Sequence, residues 1–173
     1  MRPLAYSRTS VVPYAADHFF SVVLAVDKYQ EFVPWCVESA VLHSKHNRFI
    51  GRLTAQFLAL RFSYDSEVTF GKHHIQSVVK NCSVFKSLTS RWSVRPHGEH
   101  DCQVTYELEM QFANSFFRSL GGSFLDLWTT QIHKAFLERC QAISPPPKHN
   151  LVFSSHLEEG GLWRPRPSPR CQE

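Results

Sequence analysis

The chain has 173 residues and a mass of 20.0 kDa, which is the size of one domain. Apolar residues make up 43% of the chain and charged residues 20%, so it can bury a core of its own. The net charge of +4 is small and scattered along the sequence, which does not indicate a nucleic-acid-binding protein. No apolar run reaches the ~18 residues of a membrane-spanning helix.

Cysteine and histidine positions argue against a disulfide framework and against a metal site. The five cysteines are an odd number, are widely spaced and include no C-x-x-C pair, which predicts free thiols in a reducing compartment. Four histidines, at positions 73, 74, 97 and 100, lie in turn-like segments without a carboxylate or cysteine at metal-ligand spacing. We expect exposed loop histidines and no metal.

The first third of the chain predicts a strand followed by two helices. A strand runs from about Leu4 to Val12 and ends at Pro13. A helix follows from about Ala15 to Val26, with apolar residues at helical spacing. A second, short helix covers about residues 27–32 and is closed by Pro34, which disfavours helix at the residue before it.

From Cys36 to Ala113 the apolar period changes to two, which is the period of a strand. Turn signals at 46–47, 71–72, 81–82 and 96–101 divide this region into about six strands. The segment Val104–Phe112 alternates most regularly, with even positions apolar and odd positions polar. This alternation is typical of an antiparallel sheet with one solvated face.

A long helix is predicted from about Ser115 to Ala142, with an aromatic stripe at i, i+3 and i+4 spacing. The pair Gly121-Gly122 is expected to kink it. The last 30 residues contain six of the ten prolines and show no apolar period, so we expect a mostly disordered tail. The predicted organisation is a domain over residues 1–143 and a proline-rich tail over residues 144–173.

This order of elements predicts an α+β helix-grip fold, in which a curved antiparallel sheet wraps around the long C-terminal helix. A sheet with one apolar face must cover that face, and the last helix is the one element long enough to do so. Large and aromatic residues on both sides of the interface predict either a filled core or an apolar cavity between sheet and helix.

The run Val26-Asp-Lys-Tyr-Gln-Glu-Phe-Val-Pro-Trp-Cys36 resembles the opening motif of the coenzyme Q-binding START-domain family, within the polyketide cyclase/dehydrase-like superfamily. The resemblance continues through the strand segments 64–68, 85–92 and 102–112 and ends in the helix over 116–140. It implies a helix-grip fold that binds ubiquinone or a related polyprenyl lipid, with no enzymatic activity and no cofactor beyond that ligand.

The same resemblance implies a place for the protein in the cell. It implies a lipid chaperone or carrier that supports respiratory electron transport and ubiquinone biosynthesis. Such a protein would sit peripherally on the matrix side of the mitochondrial inner membrane and associate with ubiquinone-biosynthesis or respiratory-chain proteins. The first 16 residues lack acidic side chains, as transit peptides do, but they also read as a strand, which leaves the import route open.

Aromatic and aliphatic side chains on the predicted inner face are the candidates for the cavity wall. A quinone head is flat and apolar with two carbonyl acceptors, so rings can stack on it and a Tyr hydroxyl or Trp N–H can donate to it. The alternative is that each is an ordinary core residue. The candidates are Trp35, Phe62, Tyr64, Trp92, Tyr106, Leu108, Met110, Phe124, Trp128 and Ile132.

Four further apolar residues, Leu58, Leu60, Phe116 and Leu120, are the least explained by core packing. We place them around a membrane-facing entrance through which a polyprenyl tail would leave the cavity. The alternative for the leucines before Phe62 is a strand buried on both faces.

Two other functions stay open at this point. A cyclase/dehydratase-type enzyme on the same fold would need an acid–base pair in the cavity, whereas Glu107 and Glu109 alternate onto the solvated face. A protein-binding or ribosome-binding module would need a basic or apolar outer patch, and the even mix of charges argues against one.

Overall fold

A computed structural model describes residues 3–57, 60–121 and 124–143 of the protein. Seven strands precede two C-terminal helices, and one α-helix and one 3₁₀ helix lie between the first two strands. The strands are β1 (Leu4–Val12), β2 (Cys36–Lys45), β3 (Arg48–Phe57), β4 (Leu60–Phe70), β5 (His74–Asn81), β6 (Phe85–Pro96) and β7 (Cys102–Phe112). The helices are α1 (Ala16–Leu24), the 3₁₀ helix Val26–Glu31, α2 (Ser115–Gly121) and α3 (Phe124–Ile143).

The seven strands form one antiparallel sheet in the order β1-β7-β6-β5-β4-β3-β2. Consecutive strands from β2 to β7 are neighbours, as expected for strands joined by short turns. The first strand crosses over to pair with β7, with Tyr6 opposite Leu108. Strands β1 and β2 are therefore the two edges of the sheet.

The period-two pattern of the strands, clearest in β7, produces an inner apolar face and an outer polar face. In β7 the even residues are buried and the odd ones are exposed or half-buried. Helix α1 buries Phe19 and Val23, and α3 buries Phe136 and Cys140, on the inner side of the sheet. The rings of Phe19 and Phe136 both contact Trp92 of β6, at centroid distances of 6.0 and 5.0 Å. The core therefore joins both helices to the centre of the sheet.

This architecture confirms the helix-grip prediction, including the six strands between Cys36 and Ala113 and the first strand at Leu4–Val12. Helix is present on both sides of residues 122–123, as predicted for the segment over about 115–142: α2 covers Ser115–Gly121 and α3 covers Phe124–Ile143. Residues 122–123, where the predicted kink at Gly121-Gly122 would lie, are outside the described residues. The predicted tail, residues 144–173, lies outside the described residues.

Candidate functional site

A cavity of about 140 Å³ lies between the inner face of the sheet and the helices. Its floor is formed by β3 to β7, its roof by α3 with Trp128, Ile132 and Phe136, and its side by α1 and the 3₁₀ helix. The floor forms because alternate residues of β3 to β7 point to the side of the sheet on which α3 packs. The cavity is concave and lined mostly by apolar side chains, so it is the candidate ligand site.

Aromatic rings in close contact form the deep wall of the cavity. Trp92 and Tyr106 are directly opposite each other on β6 and β7, with ring centroids 4.3 Å apart. Phe136 of α3 packs on Trp92 from above, and Tyr29 of the 3₁₀ helix packs edge-on against Phe136 at 5.3 Å. The first two pairs are tilted and the Tyr29–Phe136 pair is edge-to-face, so the rings of this wall pack against one another without a ligand.

The segment Val33-Pro34-Trp35-Cys36 forms a corner of the cavity, and all four residues line it. Trp35 has a φ of 62°, a left-handed conformation that is unusual for a residue with a side chain. This turn brings its indole against Phe57 at the end of β3 and against Trp128 of α3, at 6.0 and 6.3 Å. Strained backbone of this kind is concentrated at ligand sites.

Polar groups in the cavity wall are neutral. Among the described residues that line the cavity, none is Asp, Glu, His, Lys or Arg. The Tyr29 hydroxyl donates a hydrogen bond to the Val23 carbonyl. Burial raises the pKa of the Tyr29, Tyr64 and Tyr106 phenols, and it raises the pKa of the Cys36 thiol to about 11. All four groups therefore stay protonated at neutral pH, and the site suits an uncharged ligand.

The cavity brings together most of the side chains that the sequence predicts for it, although their contact with a ligand stays a prediction. Those that line it are Trp35, Phe62, Tyr64, Trp92, Tyr106, Leu108, Trp128 and Ile132.

Two predicted wall residues are not placed there. Met110 is buried but is not among the residues that line the cavity, and its contact with a ligand stays a prediction. It pairs with Leu4 of β1 and Leu88 of β6, so it packs in the core near the edge of the sheet. Phe124 begins α3, and its side chain lies outside the part that the structure describes.

The predicted entrance residues are only partly described. Leu60 begins β4, pairs with Phe57 and is half-buried against the core, whereas Phe116 of α2 is 64% exposed. Ring contacts link the start of β4 to the end of β7. Phe62, two residues after Leu60, contacts Phe85, and Phe85 contacts Phe112, which is the last residue of β7 before α2. Leu58 and the side chain of Leu120 lie outside the described residues.

Sequence reasoning missed three serines of the cavity floor, Ser66, Ser77 and Ser90. Serine is polar, so a search for alternating apolar residues does not assign it to the inner face of β5 or β6. The available signal was position: Ser90 lies between Leu88 and Trp92, two residues from each on the same face of β6.

Other classes of site find no support in the described residues. No group of three or more metal-ligating side chains occurs among them. The four cysteines within this part, Cys36, Cys82, Cys102 and Cys140, are free thiols. Of the helices that are described, none combines the length and the hydropathy that crossing a membrane requires.

Solved structures share this fold. An aromatase/cyclase, Zhui, from Streptomyces sp. R1128 superposes with a TM-score of 0.73 at 12% identity, covering 81% of this chain and 94% of that one. A START superfamily protein from Mycobacterium smegmatis superposes with a TM-score of 0.68 at 17% identity, covering 81% and 99%. At these identities the likeness establishes the START-like fold alone.

The chain also matches curated relatives and a protein-family model. It is 29% identical over 139 residues to the ribosome association toxin RatA of Pseudomonas aeruginosa, covering 79% of this chain and 94% of the relative. It is 26% identical over 146 residues to the mitochondrial coenzyme Q-binding protein COQ10 of Drosophila melanogaster, covering 82% of this chain and 60% of the relative. The model for polyketide cyclase / dehydrase and lipid transport proteins matches residues 12–137. With its apolar cavity and this match over most of its length, the chain has the features of a lipid-binding protein and belongs to the polyketide cyclase / dehydrase and lipid transport family.

Proposed function

We propose that the protein binds ubiquinone, or a closely related polyprenyl lipid, in its apolar cavity and acts as a non-enzymatic lipid carrier or chaperone. The observation that carries this proposal is the uncharged, aromatic lining of the cavity in a chain of a lipid transport family. The similarity to a coenzyme Q-binding protein supports a quinone as the ligand. The same relative is mitochondrial, which supports a mitochondrial location. Our proposal extends to a role in respiratory electron transport and ubiquinone biosynthesis, on the matrix side of the mitochondrial inner membrane.

The size of the cavity favours a ligand that inserts its head and leaves its tail outside. Its volume of about 140 Å³ is close to that of the ~150 Å³ apolar protein cavity that holds one benzene molecule. A single six-membered ring therefore fits, and the methoxy and methyl groups of a ubiquinone head require the wall to move apart around it. A polyprenyl tail does not fit in the same space, so it must leave past the rim.

We place that rim at the corner formed by Trp35, Phe57 and Trp128, where half-buried rings line the cavity. Beside Trp128 on α3, Leu127 is 48% exposed, and Phe116 of α2 is exposed as well. Exposed apolar side chains near a lipid exit favour peripheral contact with a membrane, where they insert into the interface. The tail would then pass from the cavity into the bilayer without crossing water.

A cyclase-type enzyme is the weaker alternative for this site. Aromatase/cyclase structures share the fold, but fold likeness does not transfer chemistry. General acid–base catalysis works best with groups whose pKa lies near the working pH. The titratable groups of the described lining are three phenols and one thiol, and burial moves the pKa of each away from neutrality.

Ribosome association is a second candidate function. The chain covers 94% of the length of the Pseudomonas RatA protein, compared with 60% of the fruit-fly COQ10 protein. Binding to a ribosome would use the outer surface, so it is compatible with an occupied cavity. Co-sedimentation with purified ribosomes, at low and at high salt, tests this candidate separately from lipid binding.

Native mass spectrometry of the protein, purified without added lipid, tests the main proposal. We expect a population whose added mass equals a polyprenyl quinone, with the quinone confirmed in the organic extract by its absorption spectrum. Protein that carries no quinone and takes up none from quinone-loaded vesicles would contradict the proposal. If phospholipid or fatty acid is bound in its place, the protein binds lipid but the proposal of a quinone ligand is wrong.

Membrane contact is tested by flotation with vesicles of phosphatidylcholine and cardiolipin. We expect the double variant Phe116→Ser/Leu127→Ser to lose most of the vesicle-bound fraction, because both apolar side chains are exposed and the proposal assigns them to the membrane contact. Leu42→Ser is the matched control, since Leu42 is similarly exposed at 49% but lies on β2 near the opposite end of the sheet. Equal binding by the double variant and the wild type would place the contact elsewhere.

A further inference from the structure

A diagonal row of hydroxyl groups crosses the floor of the otherwise apolar cavity. Ser77 of β5 and Ser90 of β6 are directly opposite each other. Because Leu108 pairs with Ser90, Tyr106 is the diagonal neighbour of Ser90, within about 7–8 Å. On the other side, Val68 pairs with Ser77, which makes Ser66 of β4 its diagonal neighbour. Tyr64 follows on the same face of β4. We call these residues the hydroxyl stripe: Tyr64, Ser66, Ser77, Ser90 and Tyr106.

Most of the hydroxyl stripe has no hydrogen-bond partner in the part of the chain that the structure describes. Ser66 donates to the Gly51 carbonyl at 3.5 Å, whereas the hydroxyls of Tyr64, Ser77, Ser90 and Tyr106 make no hydrogen bond within the described residues. None of these oxygens is sealed away from the cavity space. A buried hydroxyl left unpaired costs about 1–3 kcal/mol, so the ligand or water must satisfy it.

This row constrains the chemistry of the ligand. A plain hydrocarbon chain on the cavity floor would displace water from the hydroxyl stripe and give no hydrogen bond in return. A ligand with several acceptor oxygens on one edge would replace those bonds. The ubiquinone head has that form, since two carbonyls flank two methoxy groups on consecutive ring atoms, and the opposite ring edge carries a methyl group. The phenols favour a neutral acceptor, because burial raises the pKa of Tyr106 and the neighbouring Tyr64 phenol raises it further.

We propose that the hydroxyl stripe binds the oxygen-bearing edge of the ligand's ring and selects oxygen-rich heads over hydrocarbon of the same shape. This inference rests on the proposed function. The head would stand edge-on upon the sheet between Trp92 and Trp128, with its oxygens toward the serines. Its apolar edge would then face α3 and the rim through which the tail leaves.

Two probes that share a decyl tail test the inference on the full-length protein: 2,3-dimethoxy-5-methyl-6-decyl-benzoquinone and decylbenzene. Dissociation constants come from tryptophan-fluorescence quenching for the quinone and from competition for the hydrocarbon. We expect Ser90→Ala and Tyr106→Phe each to weaken quinone binding about threefold to tenfold, the range of one hydrogen bond. The same variants should bind decylbenzene as tightly as the wild type or more tightly, since a hydroxyl without a partner has been removed.

Ser93→Ala is the matched control, because Ser93 lies on β6 beyond Trp92 and faces the outside of the sheet. It should change neither dissociation constant, and thermal unfolding should show that all three variants are folded. Equal weakening of both probes would indicate a change of cavity shape and overturn the inference. Unchanged quinone binding in Ser90→Ala and Tyr106→Phe would overturn it while the proposed function stands. A wild type that binds neither probe would overturn the proposed function itself.

Discussion

The polar side chains on the two faces of the sheet differ in whether they find partners within the protein. On the outer face, charged residues of neighbouring strands pair with each other: Arg52 holds Asp65 with two hydrogen bonds of 2.7 and 2.8 Å, and Arg91 holds Glu109 at 3.0 Å. On the inner face, the hydroxyls of Ser77 and Ser90 lie opposite each other without a hydrogen bond to the described residues. These outer charged groups are thus satisfied within the protein, whereas the two inner hydroxyls are available to a ligand.

This difference separates what holds the sheet together from what the sheet binds. Cross-strand ion pairs on an exposed face contribute little stability individually, and they add to the preference of the buried apolar face for one register of the strands. That register places large apolar residues and the hydroxyl stripe on the opposite face. The outer face therefore serves the fold, and the inner face serves the ligand.

The largest expected effect comes from placing a charge on each face of β7. Leu108 is 4% exposed and lines the cavity, whereas Glu109 points outward to Arg91. Leu108→Lys buries an ammonium group without a partner, so we expect the Tm to fall by about 10 °C or more and quinone binding to be lost. Glu109→Lys should lower the Tm by a few degrees at most and leave binding intact. Equal and mild effects of the two substitutions would contradict the register.

Sequence patterns predicted the fold and much of the cavity wall, because period-two alternation identifies the inner face directly. Tyr106, Leu108 and Met110 alternate identically, yet only the first two line the cavity. The difference depends on which part of the sheet the helices cover closely, and a strand's own sequence does not contain that information. The left-handed Trp35 and the opposed serines likewise depend on the corner and on strand register, which emerge only in three dimensions.

A smaller effect is expected where the inner face meets α3 at the edge of the sheet. His133 is buried there, with Nε2 3.5 Å from the Ser10 hydroxyl of β1. Burial, with a further contribution from Arg8, lowers the pKa of His133 from 6.5 to about 4. The folded-state pKa of His133 is depressed, so its contribution to the unfolding free energy is complete above pH ~6.5. That contribution declines at lower pH as the unfolded chain takes up a proton, and it is lost once the pH falls through about 4.

The His133→Gln variant tests this expectation by urea unfolding between pH 7 and pH 4. The wild type should lose about 3 kcal/mol of unfolding free energy relative to the variant across this range. Carboxylates titrate in both proteins, so the difference between them isolates the histidine. If the unfolding free energies of the wild type and the variant change in parallel with pH, His133 is protonated or solvated in the folded protein.

The smallest expected effect belongs to the outer face, at the pair between Arg52 and Asp65. The hydrogen bond from Arg52 lowers the pKa of the Asp65 carboxyl, although both side chains are largely solvated. The folded-state pKa is depressed, so the stabilisation is present above the unfolded value near 3.8 and is lost as the pH falls through the folded-state pKa. Asp65→Asn should therefore lower the Tm by about 1–3 °C at pH 7, and the difference should vanish near pH 2. It should also shrink in 1 M salt, which screens exposed charges, while quinone binding stays unchanged. A loss of quinone binding in folded Asp65→Asn protein would show that the two faces are coupled and that the outer pairs do more than add to the preference for this register.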